Sequence, residues 1–81
     1  MMQQGNQKIV GIDGTGLSDA AFQQLARTFW RADADGLVLA ASAPGEREAA
    51  LFAEAAARGL TATQVTNRGE ASQGVTWLTP T

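Results

Sequence analysis

The sequence contains no cysteine, no histidine and no tyrosine. Without cysteine the chain can form neither a disulfide framework nor a thiolate zinc site, and it lacks a cysteine nucleophile. Without histidine it lacks the side chain that most often acts as a general base or metal ligand near neutral pH. Because the commonest catalytic and metal-binding groups are missing, we predict a protein without enzymatic activity, catalytic residues, bound metal or cofactor.

Positive charge is also scarce. Six Lys and Arg residues are scattered among eight Asp and Glu, which gives a net charge of -2 at pH 7. Nucleic-acid binding is argued from a concentrated basic patch, so we expect no direct binding to DNA or RNA. No apolar run approaches the roughly 20 residues of a membrane span, and the polar start MMQQGNQK lacks the apolar core of a signal peptide. We therefore expect a cytoplasmic protein without membrane contact.

The length of 81 residues predicts a single domain, 1–81, with flexible tails at 1–7 and 79–81. A chain of this size buries only about 60% of the surface that it exposes when unfolded, so its core is thin. Along the chain, short apolar runs alternate with amphipathic segments, which predicts the order β-α-β-α-β-β. The predicted strands are 8–13, 37–41, 61–66 and 75–78.

Two helices are expected between these strands. The first follows an N-cap at Ser18, and the second runs from the helix start Ser42-Ala43-Pro44 to a left-handed Gly59. Apolar residues at helical spacing indicate the faces that pack on the sheet. For the first helix these are Phe22, Leu25, Ala26 and Phe29, and for the second Ala49, Phe52, Ala53 and Ala56.

The predicted fold class is α/β, a small two-layer sandwich with both helices on one face of a four-stranded mixed sheet. Two right-handed β-α-β crossovers give three parallel strands, and the connection 67–74 is expected to add the last strand antiparallel. The second face of the sheet then stays partly open, and a homodimer through it is an alternative that the sequence leaves open. Its polar cover is assigned to Thr61, Thr63, Gln64, Thr66 and Thr76, with Trp77 available for contact.

The glycine-rich segment GIDGTGLSD connects the first strand to the first helix. Backbone N–H groups at such a junction can bind an anion, with Gly14, Thr15, Gly16 and Ser18 as the candidate residues. Alternatively, the glycines only permit a tight turn and Ser18 caps the helix. We favour the turn, because the carboxylate of Asp19 would repel a phosphate in the first turn of the helix.

Other acidic residues give weaker signals. The segment Asp33-Ala34-Asp35-Gly36 lacks the third acid and the closing glutamate of a calcium loop, so we expect a solvated turn. A catalytic carboxylate pair of Asp13 with Asp33 or Asp35 is left open by the sequence, since strand ends converge in a sheet.

Residues 36–65, GLVLAASAPGEREAALFAEAAARGLTATQV, resemble the strand-helix-strand core of the small α/β accessory domain of conjugative relaxases and related mobile-element proteins. The resemblance implies a mobile-element protein with a non-catalytic accessory domain. It departs from that family at Gln64, Val65 and Thr66, where an aromatic-Asp-Pro step is expected, and no active residues carry over.

Two functions follow as hypotheses. The first is a non-enzymatic domain that docks on another protein, as a phage- or plasmid-encoded accessory or inhibitor of a host system, similar to anti-CRISPR proteins. The alternative is a small anion- or nucleotide-binding module that uses the turn from Gly14 to Ser18.

Overall fold

The structure is a computed structural model that describes residues 7–71 and 74–80. It confirms a small α/β fold with the predicted order of helices and strands. The predicted tail residues 1–6 and 81 lie outside the described residues, so flexibility there stays a prediction. The elements are β1 (Ile9–Asp13), α1 (Asp19–Arg31), β2 (Gly36–Ala40), α2 (Glu46–Ala57), β3 (Thr61–Val65), a 3₁₀ turn (Arg68–Glu70) and β4 (Val75–Leu78).

The four strands form one sheet in the order β3-β2-β1-β4, and every pairing is parallel. The predicted mixed sheet is therefore wrong, because β4 pairs parallel with β1 instead of antiparallel with a neighbour. The connection of residues 66–74 can extend about 30 Å. That length is enough to cross about 14 Å of sheet, or three strand spacings, and to return to the start of the strands. A connection of intermediate length thus permits either a hairpin or a crossover.

Both helices pack on one face of the sheet, as predicted. The buried cluster joins Val10 and Ile12 of β1 and Leu37 and Leu39 of β2 to apolar residues of the two helices. Strand β2 lies between β1 and β3, and all five of its residues are buried. The continuous apolar run of β2 thus agrees with its interior position in the sheet.

Helix α1 forms as the sequence predicts. The Ser18 side chain accepts a hydrogen bond from the Ala21 N–H at 3.1 Å, so it is the N-cap. Phe22, Leu25 and Phe29 are buried against the sheet. The interpretation of this helix from its cap and its apolar spacing is confirmed.

Helix α2 differs from its prediction at its start and in its buried face. Its N-cap is Gly45, so Pro44 lies before the helix rather than in its first turn. The buried residues are Glu48, Leu51 and Ala55. The alanines that were assigned to the core, Ala49, Ala53 and Ala56, are exposed, and Phe52 is half-buried. Alanine occupies almost every side of this helix, so its spacing could not indicate the face that packs.

The end of α2 agrees with its prediction. Gly59 has a φ of +85°, and the Leu60 N–H donates to the Ala55 carbonyl at 3.0 Å. This bond is part of the usual termination of a helix by a left-handed glycine. It directs the chain into β3 at the edge of the sheet.

The polar cover predicted for the second face is divided between the two faces. Gln64 pairs with the core residue Leu39, and Thr76 pairs with Val10, so both lie on the helix side of the sheet. Thr61 and Thr63 remain on the second face, because side chains alternate along a strand. The prediction was wrong for Gln64 and Thr76 because it ignored this alternation.

Candidate functional site

A cleft opens at the carboxyl edge of the sheet, between the β1–α1 turn and the β2–α2 turn. Its volume is about 730 Å³, and we call it the loop cleft. Gly14, Thr15 and Gly16 line one side of it, so the structure brings three of the four predicted anion-site residues to one cavity. The fourth, Ser18, is not among the residues that line the cleft, and its hydroxyl caps α1.

The β1–α1 turn uses several of its own hydrogen-bonding groups. The Gly14 N–H donates to the Ala40 carbonyl at 2.8 Å, and the Thr15 N–H donates to Oδ1 of Asp13 at 3.0 Å. Gly16 has a φ of +76°, and a Cβ atom there would meet no heavy atom within 4 Å. The glycine at position 16 is therefore explained by its backbone conformation.

Arg47 joins the two sides of the loop cleft. Its guanidinium donates to Oδ1 of Asp19 at 2.8 Å, to Oε2 of Glu48 at 3.0 Å and to the Gly14 carbonyl at 3.0 Å. It also lies 4.7 Å from the ring centroid of Phe22. Each of the three guanidinium nitrogens thus has an acceptor within the protein, and the cation is directed at carboxylates rather than at open solvent.

Glu48 is the buried charged residue of the described core. Burial alone would raise the pKa of its carboxyl, but hydrogen bonds from the Gly45 N–H and Arg47 outweigh burial, so the pKa lies below its usual value. A Cβ atom at position 14 would lie 2.6 Å from Oε2 of Glu48. A side chain at position 14 would therefore force this carboxylate to shift away from the turn.

Acidic side chains outnumber basic ones among the residues that line the loop cleft. Asp19, Glu46 and Glu48 line it, and Arg47 is the one cation among its lining residues. The excess of carboxylates over cations would repel a phosphate in the loop cleft, which adds to the preference for a turn over an anion site.

A second arrangement lies on the sheet face opposite the helices. There the Trp77 side chain lies against Gly11, where a Cβ atom would be 2.6 Å from Cε3 of the indole. The Arg68 guanidinium lies 5.2 Å from the Trp77 ring, and its Nε is 3.0 Å from Oδ2 of Asp13. We call Trp77, Arg68 and Asp13 the Trp77 cluster.

Asp13 is fixed by these contacts. Burial raises the pKa of its carboxyl, but the hydrogen bonds with Thr15 and the contact with Arg68 lower the pKa by a larger amount. The net pKa therefore lies below its usual value. The carboxylate is thus kept ionised by its role in the turn and in the ion pair.

The Trp77 cluster was not assigned from the sequence. Trp77 was named for contact, but Arg68 and Asp13 were not placed beside it. A signal was available in Gly11, since a glycine inside a strand often marks a close approach of another group.

The carboxylate pair that the sequence left open, Asp13 with Asp35, does not form. Asp13 ends β1, whereas Asp35 precedes β2 and accepts a hydrogen bond from the Lys8 N–H at 2.7 Å. Because β1 and β2 are parallel, Asp13 lies where the strands end and Asp35 lies where they begin. The length of the strands therefore separates the two carboxylates. Within residues 7–71 and 74–80 no group of three or more acidic side chains could hold a metal ion.

No protein-family model matches the chain, and neither the curated proteins nor the solved structures contain a significant match to it. The resemblance to the relaxase accessory domain therefore stays a prediction. None of the helices in the described part of the chain is long and apolar enough to span a membrane.

Proposed function

We propose that this chain is a non-enzymatic domain that binds another protein through the second face of its sheet. The observation that carries the proposal is the Trp77 cluster. Tryptophan and arginine are the residue types most enriched among those that dominate binding energy in protein interfaces. Here the Arg68 guanidinium lies over the Trp77 ring on the face opposite α1 and α2, and Arg68 retains 47% of its side-chain exposure.

The cluster is held in place before any partner arrives. Gly11 leaves room for the indole, and Asp13 holds the guanidinium, so neither side chain must be ordered on binding. Fixing a long side chain at an interface costs about 1 kcal/mol. A preorganised pair avoids part of this cost, which favours a contact role over a purely solvated one.

The same proposal includes the biological setting given by the resemblance of residues 36–65. In that setting the domain is an accessory, or an inhibitor of a host system, encoded by a plasmid or a phage. The support for it is the resemblance together with the absence of histidine, cysteine and tyrosine from the chain.

The experiment compares tagged wild-type chain with Trp77→Ala and Thr76→Ala in capture from a host lysate, with bound proteins identified by mass spectrometry. Thr76 is the matched control, because it adjoins Trp77 in β4, is exposed and lies on the other face. We expect a partner that wild type and Thr76→Ala retain and that folded Trp77→Ala loses. Equal capture by all three proteins, or no specific capture by wild type, would contradict the proposal.

The alternative function is an anion- or nucleotide-binding module at Gly14, Thr15, Gly16 and Ser18. The observation in its favour is that the loop cleft lies between the first turns of α1 and α2, where helix dipoles attract negative charge. The carboxylates of Asp19, Glu46 and Glu48 act against it. We therefore rank it second.

A further inference from the structure

Strand β3 forms one edge of the sheet, and β2 is its ladder partner within the described chain. Its sequence, TATQV, contains no charged residue and no proline. Edge strands are usually protected against further pairing by charges, prolines or bulges. The edge formed by β3 lacks the first two of these protections.

The backbone groups that face outward from this edge can be assigned. The Ala41 N–H donates to the Val65 carbonyl at 3.0 Å, so the backbone groups of Val65 face β2. Because orientation alternates along a strand, those of Thr61 and Thr63 also face β2, and those of Ala62 and Gln64 face outward. These outward groups are arranged symmetrically about Thr63.

The protein itself satisfies the backbone N–H groups on either side of this segment. The Leu60 N–H donates to the Ala55 carbonyl at 3.0 Å, and the Thr66 N–H donates to Oε1 of Glu70 at 2.9 Å. The outward groups of Ala62 and Gln64 therefore form a short, bounded set available for pairing.

Helix α2 presents an apolar flank beside the same edge. Arg47 contacts Phe22 and Arg58 contacts Trp30, both across the gap to α1, so this side of α2 faces α1. The opposite side, which points past β3, carries exposed Ala49, Ala53 and Ala56 with half-buried Phe52. We call these four residues the outer flank, and none of them is charged.

We propose that a second copy of this chain pairs antiparallel with β3, about a two-fold axis at Thr63. Ala62 of one copy then lies opposite Gln64 of the other, and each such pair exchanges both of its N–H···O bonds. Thr63 faces its own counterpart, a favourable cross-strand pair. The partner is a second copy because rotation about this axis brings the outward groups of Ala62 onto those of Gln64. The same two residues thus pair on both copies, as a two-fold interface requires.

The helix positions agree with this pairing. Helix α2 packs on both β2 and β3, so its axis lies about one strand spacing, roughly 4.8 Å, from the two-fold axis. The two copies of α2 would then be antiparallel and about 10 Å apart, close to the 8–10 Å of packed helices. Alanines on the outer flank permit this distance, and the absence of charge there avoids repulsion between two acidic chains.

The proposal is independent of the protein-binding function, because β4, which carries Trp77, lies at the opposite edge of the sheet from β3. The interface is small, so we expect a weak dimer. Sedimentation equilibrium from about 10 µM to about 1 mM covers the range of such affinities.

The test compares the wild type with Ala56→Arg, Ala57→Arg and Gln64→Pro. Ala56 and Ala57 are adjacent and exposed, but Ala56 lies on the outer flank and Ala57 does not, so the same substitution serves as test and control. Gln64→Pro removes an outward N–H group, which an edge strand tolerates. Circular dichroism confirms that each variant is folded.

We expect wild type and Ala57→Arg to dimerise with similar constants, and Ala56→Arg and Gln64→Pro to weaken dimerisation at least about 10-fold. Hydrogen exchange at the Ala62 and Gln64 amides should slow as the wild-type concentration rises. A wild type that stays monomeric to about 1 mM overturns the proposal, and so does a dimer that Ala57→Arg weakens as much as Ala56→Arg.

Discussion

The indole of Trp77 packs against Gly11 of the neighbouring strand, on the sheet face opposite the helices. A methyl group at position 11 would overlap this ring. The Gly11↔Trp77 pair thus couples β1 to β4.

Gly11→Ala should destabilise the protein by about 1–3 kcal/mol, because overpacking forces Trp77 or the backbone of β4 to move. Urea unfolding followed by circular dichroism gives the change in free energy. Gly45→Ala is the comparison: its Cβ would make only an ordinary contact at 3.5 Å, so its loss comes from replacing the N-cap glycine of α2 and should stay below about 1 kcal/mol. A loss in Gly11→Ala no larger than that in Gly45→Ala would contradict this arrangement.

Phe29→Ala should cost about 3–5 kcal/mol, because Phe29 is 1% exposed at the centre of the core. Phe52→Ala should cost clearly less, since Phe52 lies half-buried on the outer flank of α2. Thermal unfolding of both variants at a concentration where the chain is monomeric compares them. Equal losses would support the original assignment of Phe52 to the core.

Stability should fall on acidification partly through Glu48. The pKa of Glu48 in the folded protein lies below its ordinary value of 4.5, so the ionised carboxylate stabilises the fold above that value. This contribution is lost as the pH falls through the pKa of the folded state. Glu48→Gln should therefore lose about 2 kcal/mol at pH 7, and its difference from wild type should shrink in acid.

Glu54→Gln is the control for this measurement. The ion pair of Glu54 with Arg58 is half-exposed, so its loss should cost less than about 1 kcal/mol. Urea unfolding of the three proteins across acidic and neutral pH gives the comparison. A Glu48→Gln deficit that is independent of pH would show that the carboxylate does not act through its charge.

Phosphate or a nucleotide at millimolar concentration should leave the backbone amides of residues 14–19 unshifted in NMR spectra. The reasons are the negative balance of the loop cleft and the use of the Gly14 and Thr15 N–H groups inside the turn. Saturable shifts in these residues, accompanied by a rise in melting temperature and lost in Gly16→Val, would place the anion-binding function first.

Where a single local rule governed the structure, the sequence could predict it. Ser18 capped α1, and the buried β2 followed from a continuous apolar run, because capping and full burial leave distinct residue patterns. The buried face of α2 was wrong because alanine packs or stays exposed at little cost on any side of a helix. No hydrophobic pattern separated Ala55 from Ala56.

The position of β4 depended on an interaction across nearly the whole chain. Its own residues, VTWL, suit an edge strand in either direction. The residue that indicates the partner of β4 is Gly11, whose missing side chain makes room for Trp77. The Trp77 cluster could not be found without that pairing, since Asp13, Arg68 and Trp77 come from three separate segments.

The parallel pairing of Ile9 with Val75 also has a consequence for the order of folding. Strands β1, β2 and β3 are joined by short helical crossovers, whereas β4 returns to β1 only after almost all of the chain has been made. Closing so long a loop carries a larger entropic cost than forming the local crossovers. Strand β4 is therefore expected to dock last, and its amides to exchange with solvent through partial opening before those of β2 do.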